Sequence, residues 1–131
     1  MTFRFKAPIL GFENIKEVEF KESDDFFATL EDKSGSGLFF TLVNPYRLRE
    51  YSFDLTPEVQ SQLQINENSN LMVYNILALG RPSEESVVNF LAPIVFNCDN
   101  QSAAQVVLNA KTHPDFGVAQ KLSDFMAAEA S

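Results

Sequence analysis

The segment Asn89–Asn97, NFLAPIVFN, follows the polar stretch Arg81–Ser86, RPSEES, and reads as a buried strand with an obstacle in it. Phe90, Leu91, Ile94, Val95 and Phe96 are strand formers, whereas Pro93 cannot donate a ladder hydrogen bond. Alternation turns either Leu91, Pro93 and Val95 or Phe90, Ala92, Ile94 and Phe96 inward, and the proline can shift that phase. Core and binding surface are therefore both open readings.

Outward from this segment the chain is rich in further short strands. Thr2–Lys6 sets Phe3 and Phe5 on one face, and Glu17–Lys21 does the same for Val18 and Phe20. Phe26–Leu30 follows the polar turn ESDD, and the glycine-rich KSGSG at residues 33–37 joins it to Leu38–Val43 as a hairpin. No lysine follows those glycines in phosphate-loop register. Further strands are expected near Ser52–Leu55 and over Leu71–Leu79, Val87–Leu91, Ile94–Asn97 and Gln105–Leu108. Thr56 and Pro57 open a short helix with Val59, Leu63 and Ile65 on its apolar side. From Phe116 to Ala128 the period becomes helical, with Val118, Leu122, Phe125 and Met126 on one face and Gln120, Lys121, Asp124 and Glu129 elsewhere.

Short strands, frequent turns and one or two short helices predict a mainly β fold: a small antiparallel β-barrel-like domain over residues 1–115, then a helical segment, docked or mobile, over 116–131. A length of 131 residues fits one domain. Thirteen Phe and no Trp point first to core filling and then to apolar anchors for a partner. The longest apolar run is too short and too interrupted to span a membrane, and the N-terminus lacks a signal-peptide core. One cysteine, Cys98, excludes an intrachain disulfide and suits a reducing compartment, so a cytoplasmic protein is expected. The sequon at Asn100 carries no meaning without secretion.

A net charge of −8 argues against direct nucleic-acid binding and favours basic partners or simple solubility. Catalytic patterns are weak. Cys98 and His113 are isolated, neither has metal ligands at a useful spacing, and Asp24–Asp25 and Glu84–Glu85 fall in solvated turns. No enzyme, cofactor or metal site is expected.

The motifs PILGFE (residues 8–13), VNPY (43–46), FDL (53–55), MVYNIL (72–77), PSEESVVNFLAPIVFN (82–97) and QVVLN (105–109) resemble, in this order, the flagellar assembly factor family FliW. The resemblance covers roughly Pro8 to Phe116. It implies a β-barrel-like cytoplasmic protein without enzymatic activity or cofactor. It also implies binding to newly made flagellin and to the RNA-binding translational regulator CsrA, so that flagellin level is coupled to flagellin translation by partner switching. The family commonly has a proline where Leu10 stands and Pro-Asp where Arg49-Glu50 stands, and both departures fall in turns.

With two prolines interrupting ladders, VNPY and NFLAPIVFN are expected to border one partner surface formed by Asn44, Pro45, Tyr46, Leu48, Leu91, Ala92, Pro93, Ile94, Val95 and Asn97, shared with the core. The acidic turns Glu22–Asp25 and Glu84–Glu85 are expected to steer CsrA. No membrane contact is expected, and a monomer is expected when free. A small-molecule-binding β-barrel protein is the competing class, and a cysteine hydrolase built on Cys98 a more distant one.

Overall fold

The computed structural model describes residues 1–130, and the side chains of all of these except 83 and 127–130. Nine strands form one sheet: β1 (Thr2–Ala7), β2 (Glu17–Glu22), β3 (Phe27–Asp32), β4 (Phe39–Val43), β5 (Leu71–Ala78), β6 (Val87–Val88), β7 (Ile94–Asn97), β8 (Ser102–Gln105) and β9 (Gln120–Lys121). The order β4-β3-β2-β1-β8-β7-β5 closes on itself through β4–β5 pairing, giving a seven-stranded barrel. Closure pairs most of the sheet edge that would otherwise recruit other chains. All barrel neighbours are antiparallel except β1 and β8, which run parallel with a register irregularity between Phe5 and Ala7. Two short helices are added, α1 (Pro57–Gln62) and α2 (Ser123–Ala130).

Every barrel strand sends alternate residues inward. Phe3 and Phe5 of β1, Val18 and Phe20 of β2, Ala28 and Leu30 of β3, Leu42 of β4, Tyr74 of β5, Ile94 and Phe96 of β7 and Ala103 of β8 make one cluster, joined by Ile9 and Ile15. Phe3 meets Phe96 with ring centres 4.9 Å apart and Phe20 meets Tyr74 at 5.1 Å, both edge to face. In a barrel of this size side chains fill the interior, and here aromatic rings do so.

The local signals explain the turns. Between β3 and β4, Asp32 accepts hydrogen bonds from Ser34 N at 3.0 Å and from the Ser34 and Ser36 hydroxyls, while Gly35 and Gly37 take φ of +94° and +80°. Helix α1 begins as its sequence signals indicate: Thr56 Oγ1 accepts from Val59 N at 3.3 Å and Pro57 occupies the first turn. It stops where Gln64 enters the left-handed region at φ +53°.

Four sequence expectations need correction. Ser52–Leu55 forms no strand; Tyr51, Phe53 and Leu55 are more buried than Ser52 and Asp54, so the side chains alternate without a ladder partner. The strand expected over Val87–Leu91 ends at Val88, because Asn89 Oδ1 accepts from Leu91 N at 3.0 Å and turns the chain. The strand expected at Gln105–Leu108 lies instead at Ser102–Gln105; Val106 N and Leu108 N still donate to Pro93 O and Leu91 O, at 2.8 and 2.7 Å. The last helix starts at Ser123, and Val118 is exposed ahead of it, while Leu122, Phe125 and Met126 pack against the barrel wall. The placement expected for Glu129 lies outside the described side chains.

Candidate functional site

β6 and β7 lie along the same edge of β5 as one interrupted strand, with Asn89–Pro93 looping out between them. Pro93 precedes the ladder of β7, so its missing N–H breaks no strand pairing, and its carbonyl bonds Val106 N. All four residues of β7 are buried. Ile94 and Phe96 point into the barrel; Val95 points outward beneath Leu63, Val106 and Leu108. Asn97 donates through Nδ2 to Leu63 O at 2.8 Å, tying α1 to the wall. NFLAPIVFN is thus core on both faces at its C-terminal half.

The VNPY motif ends β4. Asn44 Oδ1 accepts from Tyr46 N at 3.0 Å and Pro45 starts a 3₁₀ turn over Pro45–Arg47, so the chain leaves the sheet after Val43. Beside this turn lies an open cleft of about 570 Å³, lined by Asn44 and Tyr46 of the turn, by Tyr51, Ser52, Phe53 and Leu55, and by Leu71–Tyr74 and Val95 of the wall. Tyr46 is 53% exposed and its ring lies 6.1 Å from that of Tyr51.

Of the residues expected to form a partner surface, the cleft brings together Asn44, Tyr46 and Val95. Pro45, Leu48, Ala92, Pro93, Ile94 and Asn97 are buried, so in this conformation their side chains are engaged within the protein. Leu91 is half-buried and lies apart from the cleft, and Ala92 borders a smaller groove with Leu10, Phe12 and Val118. Three of the ten expected residues thus line the cleft, and Asn89–Pro93, where the proline was expected to shift the alternation, loops out between β6 and β7. Tyr51, Phe53, Leu55 and Leu71–Tyr74 were missed as lining residues, although the alternation of YSFDL signals one apolar side.

Behind the cleft, a seam of rings and polar groups joins the wall to the C-terminal residues. Tyr51 donates from its hydroxyl to Phe90 O at 2.6 Å and accepts from Asn75 Nδ2 at 3.3 Å. Burial pushes the Tyr51 phenol up to about 12. The Arg49 guanidinium sits over the rings of Phe90, Phe116 and Phe125 at 5.0, 4.8 and 5.3 Å and donates to Gln120 Oε1 at 3.2 Å.

The isolated catalytic candidates Cys98 and His113 make no hydrogen bond to each other among the described residues. Burial pushes the half-buried Cys98 thiol up, with Asp99 adding to it, which is the opposite of activation. His113 Nδ1 is engaged with Thr112 Oγ1 and Asn109 O. Among the described residues, no group of three or more His, Cys, Asp or Glu side chains could hold a metal ion, and no helix is long and apolar enough to cross a membrane.

Fold and site define a small closed β-barrel with a packed aromatic interior and an open cleft on its outer wall. The family model described as FliW protein matches residues 1–122, wider at both ends than the span carried by the motifs. The chain is 45% identical over 126 residues to flagellar assembly factor FliW 1 of Wolinella succinogenes, covering 96% of this chain and 98% of that protein. It is 44% identical over 126 residues to flagellar assembly factor FliW of Sulfurimonas denitrificans, with the same coverage of 96% and 98%. A crystal structure of the flagellar assembly factor FliW superposes with a TM-score of 0.82 at 28% identity, covering 92% of this chain and 84% of that one. The chain belongs to the FliW family.

Proposed function

We propose that this protein acts in flagellar assembly in the cytoplasm by binding flagellin and the translational regulator CsrA in alternation. Bound to CsrA, it relieves repression of the flagellin message; captured by unexported flagellin, it leaves CsrA free to repress. Such a switch needs only mass action and mutually exclusive binding, and no catalysis. The observation that carries this reading is the open cleft beside Tyr46, an exposed aromatic on a turn that is fixed by Asn44 and backed by a packed barrel. Rigidly held aromatic side chains next to a groove are the usual anchors of protein interfaces. The barrel interior is filled by Phe3, Phe20, Phe96 and Tyr74, which disfavours the competing reading of a small-molecule carrier.

The charge distribution fits a basic partner. Glu22, Asp24 and Asp25 are exposed near the Asn44 end of the cleft, and Asn44 N donates to Phe26 O of the same turn at 2.7 Å. Their attraction reaches about 10 Å at 0.1 M salt. The test is size-exclusion chromatography and calorimetry with purified flagellin and purified CsrA, separately and in competition. Complexes with each and displacement of one by the other are expected, with Tyr46→Ala weakening flagellin binding by about 2 kcal/mol at unchanged melting temperature. Absence of both complexes overturns the reading.

A further inference from the structure

The backbone along the cleft has a polarity that the ladder fixes. Asn44 N donates to Phe26 O, so even-numbered residues of β4 turn their backbone groups toward β3. Thr41 and Val43 therefore turn theirs toward β5, where they pair with Leu77 and Asn75. By the two-residue period of a strand, the N–H and C=O groups of Val73 and Leu71 point the same way. Groups of the even-numbered residues point to the opposite edge: Ile76 O accepts from Asn89 N and Asn70 O from Cys98 N. Because Pro45 turns the chain away after Val43, no strand of the described residues lies opposite Val73 and Leu71. The closed barrel thus keeps one short open edge, and it faces the cleft.

The rest of the cleft suits what that edge would recruit. Tyr46, Phe53 and Leu55 add apolar surface to the same cleft as Leu71 and Val73. No Lys or Arg lines it. Two carboxylates stand beside its lining residues: Asp54 lies between Phe53 and Leu55 in the chain, and Asp99 holds Asn70 at 2.8 Å next to Leu71. Neither carboxylate belongs to an ion pair among the described residues; against them stands Arg47, exposed next to Tyr46.

We propose that the cleft takes an extended peptide segment as an added strand along Leu71–Val73, apolar at alternate positions and carrying Lys or Arg at its ends. This rests on the reading of the cleft as the partner site and names how the partner is held. A strand satisfies the open N–H and C=O groups directly, at about 4.8 Å from β5. A helix, with its backbone bonded internally and a diameter of about 10 Å, leaves them unpaired. Lys and Arg at the ends answer Asp54 and Asp99.

The test uses two synthetic peptides on the intact protein: Lys-Lys-Val-Thr-Val-Thr-Val-Lys-Lys, and a stapled amphipathic helix with the same lysine ends. Residue-resolved amide exchange is expected to slow at Leu71 and Val73 with the first peptide and to stay unchanged at Met72 and Tyr74, which already bond β7. Replacing the Val73 N–H by an ester oxygen keeps the side chain and removes the open donor but weakens Met72 O as an acceptor toward β7, so the melting temperature falls slightly while peptide affinity falls about five- to tenfold. Binding of the stapled helix alone, binding of the first peptide without slowing at Leu71 and Val73, or binding of neither overturns the strand. A flagellin complex with unchanged exchange at these residues removes the strand and leaves the partner reading standing; peptide protection without any flagellin or CsrA complex does the reverse.

Discussion

The barrel interior and the outer seam behind the cleft are both built of aromatic rings, yet they are held by different forces. Inside, Phe3, Phe20 and Phe96 are paired with one another and with Tyr74, and the surrounding side chains are almost all apolar. In the seam, rings alternate with polar groups: the Tyr51 hydroxyl on Phe90 O, Asn75 on Tyr51 and on Asn89 O, and Arg49 between Phe90, Phe116 and Phe125. The interior can be assembled from any sequence with the right alternation and volume. The seam depends on individual hydrogen bonds and one cation, so it is the part in which single residues set both geometry and order.

The sharpest break of this comparison is expected from the interior. Phe96→Ala removes a ring that touches Phe3, Phe20 and Tyr74 and leaves a cavity that closed strands cannot collapse, at a loss of about 3–5 kcal/mol. Denaturant unfolding is expected to show one cooperative transition at a much lower midpoint. Next in size is Tyr51→Phe, which keeps the ring but leaves Phe90 O and an Asn75 donor without their partner, for about 1–3 kcal/mol. It also has a pH signature. A phenol whose pKa rises from 10.0 to about 12 on folding stabilises the fold below pH 10, and that contribution is lost as pH rises through the folded value. Tyr51→Phe is therefore expected to flatten the alkaline limb of a stability-versus-pH curve; an unchanged limb would assign it to other groups.

The same contrast explains what was legible in the sequence. Phe3 and Phe5, Val18 and Phe20, and the core of β5 follow a period of two, and the interior they build was readable strand by strand. Asn89–Pro93 was not, because a side-chain bond from Asn89 Oδ1 to Leu91 N overrides strand propensity and shifts everything after it. Ser52–Leu55 shows alternation without a ladder, which propensity cannot distinguish from a strand. The seam was invisible for a different reason. Arg49, Tyr51, Asn75, Phe90 and Phe125 are scattered along the chain, and only the closed topology brings them together. The cleft inherits both problems: Asn44 and Tyr46 stood in a readable motif, but the edge at Leu71 and Val73 is open only because β4 ends one turn early.

Arg49→Met sharpens the comparison from the seam side. The methionine keeps an apolar stem against the rings but removes the charge above Phe90, Phe116 and Phe125 and the bond to Gln120. A partly desolvated cation over aromatic faces is worth about 1–2 kcal/mol. Because β9 pairs, among the described residues, only with the two-residue β6, the loss is expected to appear locally, as faster amide exchange from Phe116 to Met126 with the barrel strands unchanged. Equal acceleration in β1 and β2 would mean that the seam and the interior unfold together, and that the distinction between them is merely geometric.

The smallest effect is expected at the turn farthest in character from either cluster. Hydrogen bonds from Ser36, then from the Ser34 hydroxyl and backbone, hold the Asp32 carboxyl below its ordinary value of 3.8. A carboxylate whose pKa is lowered on folding contributes stability above its unfolded value and loses it as pH falls through the folded one. Asp32→Asn retains one acceptor oxygen for Ser34 N but no charge, so it is expected to be slightly less stable than the parent at neutral pH. The two melting curves should converge as pH drops below 3.8. A gap that persists into acid would mean that the turn depends on the geometry of the two acceptor oxygens and not on their charge.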